Sequence, residues 1–315
     1  MNNEVNHGAT WERAAIEKLL LADVRERRAA RRWRMFKSVL WMLLFGAFIY
    51  FMVAEQLPAS APATPHTAMV AIRGEIAAEA EASAENVLPA LRSAMEERNA
   101  KALVLLIDSP GGSPVQAGLV HDEIRRLRKL HNKPVYAVVE ETCASAAYYI
   151  AAAADRIYVD KASLVGSIGV LMDGFGFVGT LDKLGVERRL LTAGHNKGFL
   201  DPFSPQSETH RQHAQAMLDQ IHRQFIQVVK EGRGPRLKET PETFSGLFWT
   251  GEQAIGLGLA DAYGSLDGVA REVVKAEEVV DYTHKANVAE RLARRFGAAA
   301  GQGAVNALRT PAPLR

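Results

Sequence analysis

Residues 102–114 read ALVLLIDSPGGSP, and this stretch decides the fold. From Ala102 to Ile107 the run is apolar without alternation, which suits a parallel strand buried on both faces. Asp108 to Ser113 supply a turn in which Gly111 and Gly112 carry no side chains. Beyond it Val120, Ile124, Leu127 and His131 fall on one helical stripe. Strand, glycine turn and helix form the repeating unit of α/β sheets, and the turn lies at the edge where such sheets present their sites. Working outward, the pattern predicts strands over 69–73, 135–139, 156–159 and 187–191, with helices over 81–99 and 144–154. A long amphipathic helix over 205–230 carries Met217, Leu218, Ile221, Phe225, Val228 and Val229 on one side. Shorter helices are expected over 252–257 and 266–278. The fold class is therefore α/β, with a parallel or mixed sheet covered by helices.

A different physics governs the N-terminus. Between Arg25 and Lys37 stand seven Lys or Arg against one acid, Glu26, and no charge follows from Ser38 to Ala54. As a helix those residues would rise about 26 Å, close to the hydrocarbon thickness once Phe36 and Leu57 are added. Trp33, Trp41 and Tyr50 lie near the ends, as interfacial aromatics do. The positive-inside rule puts the basic side in the cytoplasm, so the expectation is a single-pass anchor in a bacterial inner membrane with the bulk of the chain on its outer, periplasmic side. A cleaved signal peptide, with a small-residue site at Ala59 to Ala61, is the alternative, but the preceding basic region is long for one. The organisation read this way is a cytoplasmic basic arm over 1–35, a transmembrane helix over 36–57, a linker over 58–67 containing Pro58, Pro62 and Pro65, a catalytic domain over 68–285, and a weakly ordered tail over 286–315.

Composition removes whole function classes. With 48% hydrophobic and 23% charged residues the chain is a folded protein, not a disordered or fibrous one. A net charge of +2 is too balanced for a nucleic-acid binder, and the single cysteine, Cys143, excludes an internal disulfide framework and a cysteine-based zinc site. His210, His213 and His222 invite a metal reading, yet no carboxylate stands at ligand spacing, and a polar helix face explains them better.

Two junctions can carry chemistry. The PGG turn can hold an anion or an oxyanion on its backbone N–H groups, although neither GxGxxG nor GxxxxGK[ST] is present to argue for a nucleotide phosphate. At the next strand-to-helix junction, Thr142 to Ala147 read TCASAA. Ser145 there is either a helix N-cap or a nucleophile, and small neighbours together with a helix N-terminus favour the second. Cys143 is a rival nucleophile, more at home as packing. A serine nucleophile needs a base, and TAGHNKGF (192–199) offers His195 or Lys197. A lysine in that role must be neutral near pH 7, which moves a value of about 10.4 down by roughly 3 units through burial.

IDSPGGSP (107–114), KPVYAVVEETCASAAYYIAAAADRIYVD (133–160), LVGSIGV (164–170), LGVERRLLTAGHNKGFLDPFSP (184–205) and WTGEQAIGLGLAD (249–261) together resemble the signal peptide peptidase A group, also called protease IV. The resemblance covers roughly 69–270. It implies a crotonase/Clp-like fold with repeated β-β-α units, and a membrane-anchored serine endopeptidase with a Ser-Lys dyad. It makes Ser145 the nucleophile, Lys197 the base, Ser167 the hydroxyl that orients the lysine, and Gly111 with Gly112 the oxyanion turn. Ala146 departs from the glycine that many relatives carry near the nucleophile. No metal or organic cofactor is implied. The implied substrates are residual signal peptides and other apolar peptides at the lipid bilayer. The implied assembly is a homo-oligomeric ring whose dyads are completed between neighbours, the chain being of the short, single-domain type. An acyl-CoA enzyme of the same fold and a non-enzymatic membrane scaffold are the competing classes; acyl-CoA binding and active-serine labelling separate them.

Overall fold

A computed structural model describes residues 31–50 and 64–284, which fall into two units. Residues 31–50 are helical throughout (α1), with every side chain exposed. Among the described residues no helix is long and apolar enough to cross a membrane. Residues 51–54, which complete the uncharged run, lie outside the described residues, as do most of the basic arm, most of the linker and the whole of the tail.

The second unit is built on parallel strands. β1 (His66–Arg73), β2 (Ala100–Ser109) and β3 (Val135–Ala144) lie side by side, with α2 (Ala84–Glu96) and α3 (Pro114–His131) as the crossovers. The apolar run expected to be buried on both faces is: Leu103, Val104, Leu105 and Ile107 are each 1% exposed or less. Burying such a side chain fully contributes about 1.5–3 kcal/mol, which makes β2 the axis of the core. β8 (Val279–Asp281) closes the far side of β1. On the other flank β3 divides its partners. Tyr136 to Val138 pair with β4 (Arg156–Val159), which in turn pairs with β7 (Ala262–Tyr263), whereas Thr142 to Ala144 pair with β5 (Leu164–Gly166). β5 carries the one antiparallel partner among the described strands, β6 (Phe248–Thr250).

Three expectations need correction. Residues 187–191 form no strand; they are irregular and exposed, because no neighbouring strand offers them a ladder. The small-residue helix begins only at Ala146, as α4 (Ala146–Ala151), since β5 draws β3 on through Cys143 and Ala144. The helix expected over 266–278 is a short turn, Leu266–Gly268, followed by a π-turn, Val269–Val274, that Lys275 ends in a left-handed conformation. The long helix is present as α6 (Glu208–Arg233), after a short α5 (Val178–Lys183), and apart from Ala214 its buried residues, Phe225, Val229 and Arg233, lie in its C-terminal half.

At the strand N-terminal edge, cations meet helix C-termini. Lys133 Nζ donates to the carbonyls of Met95 (2.9 Å) and Glu97 (2.8 Å), and Arg128 Nη1 to that of Ala153 (2.6 Å). Each satisfies carbonyls that a helix end leaves open. Between α2 and α3 the nearly buried Glu123 accepts from Arg92 Nε (2.6 Å) and Arg126 Nε (2.7 Å). Hydrogen bonding to Arg126 leads in lowering its carboxyl from 4.5 to about 2. A carboxyl held down in the fold stabilises fully above its unfolded value and loses that stabilisation as pH falls through the folded one. Acid unfolding should therefore steepen between about pH 4.5 and 2. Glu123→Gln should flatten that step and cost about 1–2 kcal/mol at neutral pH, the lower end for charged hydrogen bonds because both guanidiniums are half-exposed. Denaturant titration of the two proteins across that range checks it.

Candidate active site

The strand C-terminal edge is shaped by one irregularity. While β2 advances from Ile107 to Ser109, β3 advances from Val139 to Cys143. The extra residues form a bulge on β3 before its pairing with β2 resumes at Ser109 and Cys143, and Asp108 holds the bulge by accepting from the Thr142 N–H at 3.2 Å. Ser145 follows directly. Its backbone sits at φ 52, ψ −122, outside the regions open to ordinary residues, and its hydroxyl makes no capping bond. Such a conformation costs on the order of 1–3 kcal/mol and persists only where the surroundings over-determine it. Here the Ser145 N–H donates to Gly166 O (2.8 Å), its carbonyl accepts from Tyr149 N (3.0 Å), and the buried Tyr148 hydroxyl ties α4 to Leu259 O (2.7 Å).

Gly111 lies against this serine. A Cβ on Gly111 would stand 2.7 Å from Ser145 Cβ and 2.9 Å from Ala146 N, and its φ of 105 already demands glycine. Gly112 fits under a strap formed by Ile76, whose carbonyl oxygen a Cβ would meet at 2.3 Å. Ile76 N donates to Gly111 O (2.8 Å) and Ile76 O accepts from Ser113 N (2.7 Å), so the turn is held from both sides. The Gly111 N–H is taken by Ser109 Oγ at 3.1 Å. The N–H groups of Gly112 and of Ala146, the first residue of α4, have no acceptor among the described residues.

Ser167 arrives through β5. The last paired register is Ala144 with Gly166, so Ser145 and Ser167 leave their strands side by side, both with positive φ (52 and 48). The structure thus brings Ser145, Gly111, Gly112 and Ser167 to one edge. Lys197 is bonded to none of them: that residue is exposed in an irregular segment, its side chain making no hydrogen bond or ion pair among the described residues. His195, also exposed, is likewise not bonded to Ser145. Cys143 is fully buried, and burial pushes its thiol far up, which suits packing and not attack.

Some supporting residues escaped sequence reading. Ile76 is a lone apolar residue after Gly74, and Leu247 and Trp249, which brace the Ser167 turn from β6 and its approach, sit in a stretch too short for a two-residue period. Among the described residues no group of three or more His, Cys, Asp or Glu is placed to hold a metal. His210 and His222 make hydrogen bonds instead.

The model of peptidase family S49 matches residues 128–280, a span that holds Ser145, Ser167 and Lys197. Residues 128–280 are thus a peptidase family S49 domain, similar to that of the signal peptide peptidase A group. A putative signal peptide peptidase SppA of Enterococcus faecium is 30% identical over 199 residues, covering 63% of this chain and 58% of that one. A putative protease of Methanocaldococcus jannaschii is 31% identical over 192 residues, covering 59% and 61%. A Brucella abortus protein named Na(+)/H(+) antiporter NhaA is 46% identical over 182 residues, covering 58% of this chain. The chain spans only 25% of that Brucella protein.

Proposed function

We propose that the chain is a membrane-anchored serine endopeptidase of crotonase/Clp-like fold, in which Ser145 attacks and Lys197 is the base. The observation that carries this reading is the strained Ser145, its hydroxyl without a hydrogen bond among the described residues, held against a Gly111 where any side chain would collide with it. A neutral Lys197 amine takes the serine proton as the hydroxyl adds to a peptide carbonyl. The Gly112 and Ala146 N–H groups, preorganised and without other acceptors, hold the oxyanion. The lysine then protonates the leaving amine, and water reverses the sequence to release the acyl group. Ser167, beside Ser145, holds the amine in line.

Lys197 comes from another copy of the chain in a closed ring. What supports this is the absence of any bond from Lys197 to Ser145 within one chain. The exposed apolar side chains of the segment around it add support, with Leu171 at 82%, Phe175 at 79% and Leu191 at 95%. A patch of that kind marks an interaction surface. The apolar run after Lys37 anchors the chain in the inner membrane with this domain outside, and the substrates are residual signal peptides and other apolar peptides. A fluorophosphonate should label the wild type and Cys143→Ala at one site, and fail on Ser145→Ala. Labelling that survives in Ser145→Ala would discard the nucleophile assignment.

A further inference from the structure

We infer that α6 is the alignment rod of the active site, with His222 positioning the Ser167 turn and His210 the Lys197 loop. This rests on the dyad reading above and deepens it. Ser167 is non-glycine at φ 48, so its turn must be held from outside. The Ser167 N–H donates to Leu247 O (2.8 Å) and Gly169 N donates to Ser167 O (2.9 Å). The remaining tether comes from the helix: His222 Nε2 lies 3.1 Å from the carbonyl oxygen of the fully buried Ile168. A carbonyl only accepts, so this nitrogen carries the proton and donates.

Near its N-terminus the helix grips the lysine loop. His210 Nε2 is 3.2 Å from Asn196 Oδ1, one residue before Lys197. The Phe199 ring stands edge-on to both His210 (5.3 Å between centroids) and His213 (5.6 Å). These two histidines are three apart and share a helix face, so together they clamp the loop on both sides of the amine. His210 and His222 are twelve positions apart, about 18 Å along the axis. One helix therefore fixes the serine turn that a chain keeps and the lysine loop that it lends.

The test uses the full chain and steady-state peptide hydrolysis. His222→Leu should lower kcat between about tenfold and a hundredfold, the cost of a small misplacement, with KM within about twofold. His222→Gln, which restores a donor at similar reach, should recover most of the loss. In a Ser167→Ala background His222→Leu should cost almost nothing more, because no hydroxyl remains to be placed. At the other end, His210→Leu and Asn196→Ala should each lower kcat, and their combination no further than either alone, with His210→Gln near wild type. Equal His222→Leu losses with and without Ser167, or additive His210 and Asn196 losses, would overturn the positioning role. Gln variants that fall as far as the Leu variants would overturn it too. Full activity in Ser145→Ala would instead remove the dyad reading, so the two failures are told apart.

Discussion

Ser145→Ala is expected to lower kcat by a factor on the order of 10⁴–10⁶, and Lys197→Ala by a similar factor, because members of a nucleophile–base unit fail together. Ser167→Ala should cost less, on the order of tenfold to a hundredfold, since it removes an orienting hydroxyl and leaves both reacting groups. Cys143→Ala and His195→Ala should retain most of the activity. The buried thiol faces the core, and the imidazole stands in solvent without a bond to the serine. Folding should survive Ser145→Ala: the hydroxyl supports no capping bond, and the strained backbone is held by Gly166 and Tyr149 through main-chain groups that alanine keeps. Peptide hydrolysis alongside thermal melts of all five variants decides the matter. Near-normal kcat in either Ser145→Ala or Lys197→Ala would refute the proposed chemistry.

How far the residues alone disclose this site depends on the range of the forces involved. The strand at 102–107 is legible because burial on both faces erases alternation, and the PGG turn is legible because it must follow that strand. The helix over 205–230 is visible from its period, yet its apolar N-terminal positions are not deeply buried: Met217 is 38% exposed, and Phe225 and Val229 do the anchoring. The fork of β3 is not legible. Glu140, Glu141 and Thr142 look like the polar end of a strand, and only the competing partners β4 and β5 show that the chain bends there. β5 itself has three residues, too few for any period, and so the neighbourhood of Ser145 and Ser167 is a fact of register that local pattern cannot carry. The strained φ of Ser145 is likewise set by tertiary bonds. Residues 187–191 mislead in the opposite way, with strand-like residues that find no strand to pair with.

Mixing inactive subunits decides which copy of the chain supplies Lys197 to each Ser145. Ser145→Ala subunits keep the lysine and lose the nucleophile; Lys197→Ala subunits do the reverse. If each dyad is completed within a chain, a ring of both kinds contains no intact pair and stays dead. If the lysine crosses to the neighbouring copy, every interface with a Lys197→Ala subunit on the serine side and a Ser145→Ala subunit on the lysine side contains an intact pair. In a ring assembled at random from equal amounts, one interface in four has that order, so roughly a quarter of wild-type activity per subunit should return. The expected recovery is large against a background lowered at least a thousandfold, so even poor mixing leaves a clear signal. Co-expression with separate tags, tandem purification to ensure that both subunits are present, and hydrolysis of an apolar peptide provide the readout. Fluorophosphonate should mark only the Lys197→Ala subunits of the mixed rings, because they alone retain Ser145. Verified mixed rings without recovered activity would place Lys197 in the same chain as its serine. The irregular segment over 184–205 would then have to fold back on its own β3 edge to bring the amine to Ser145.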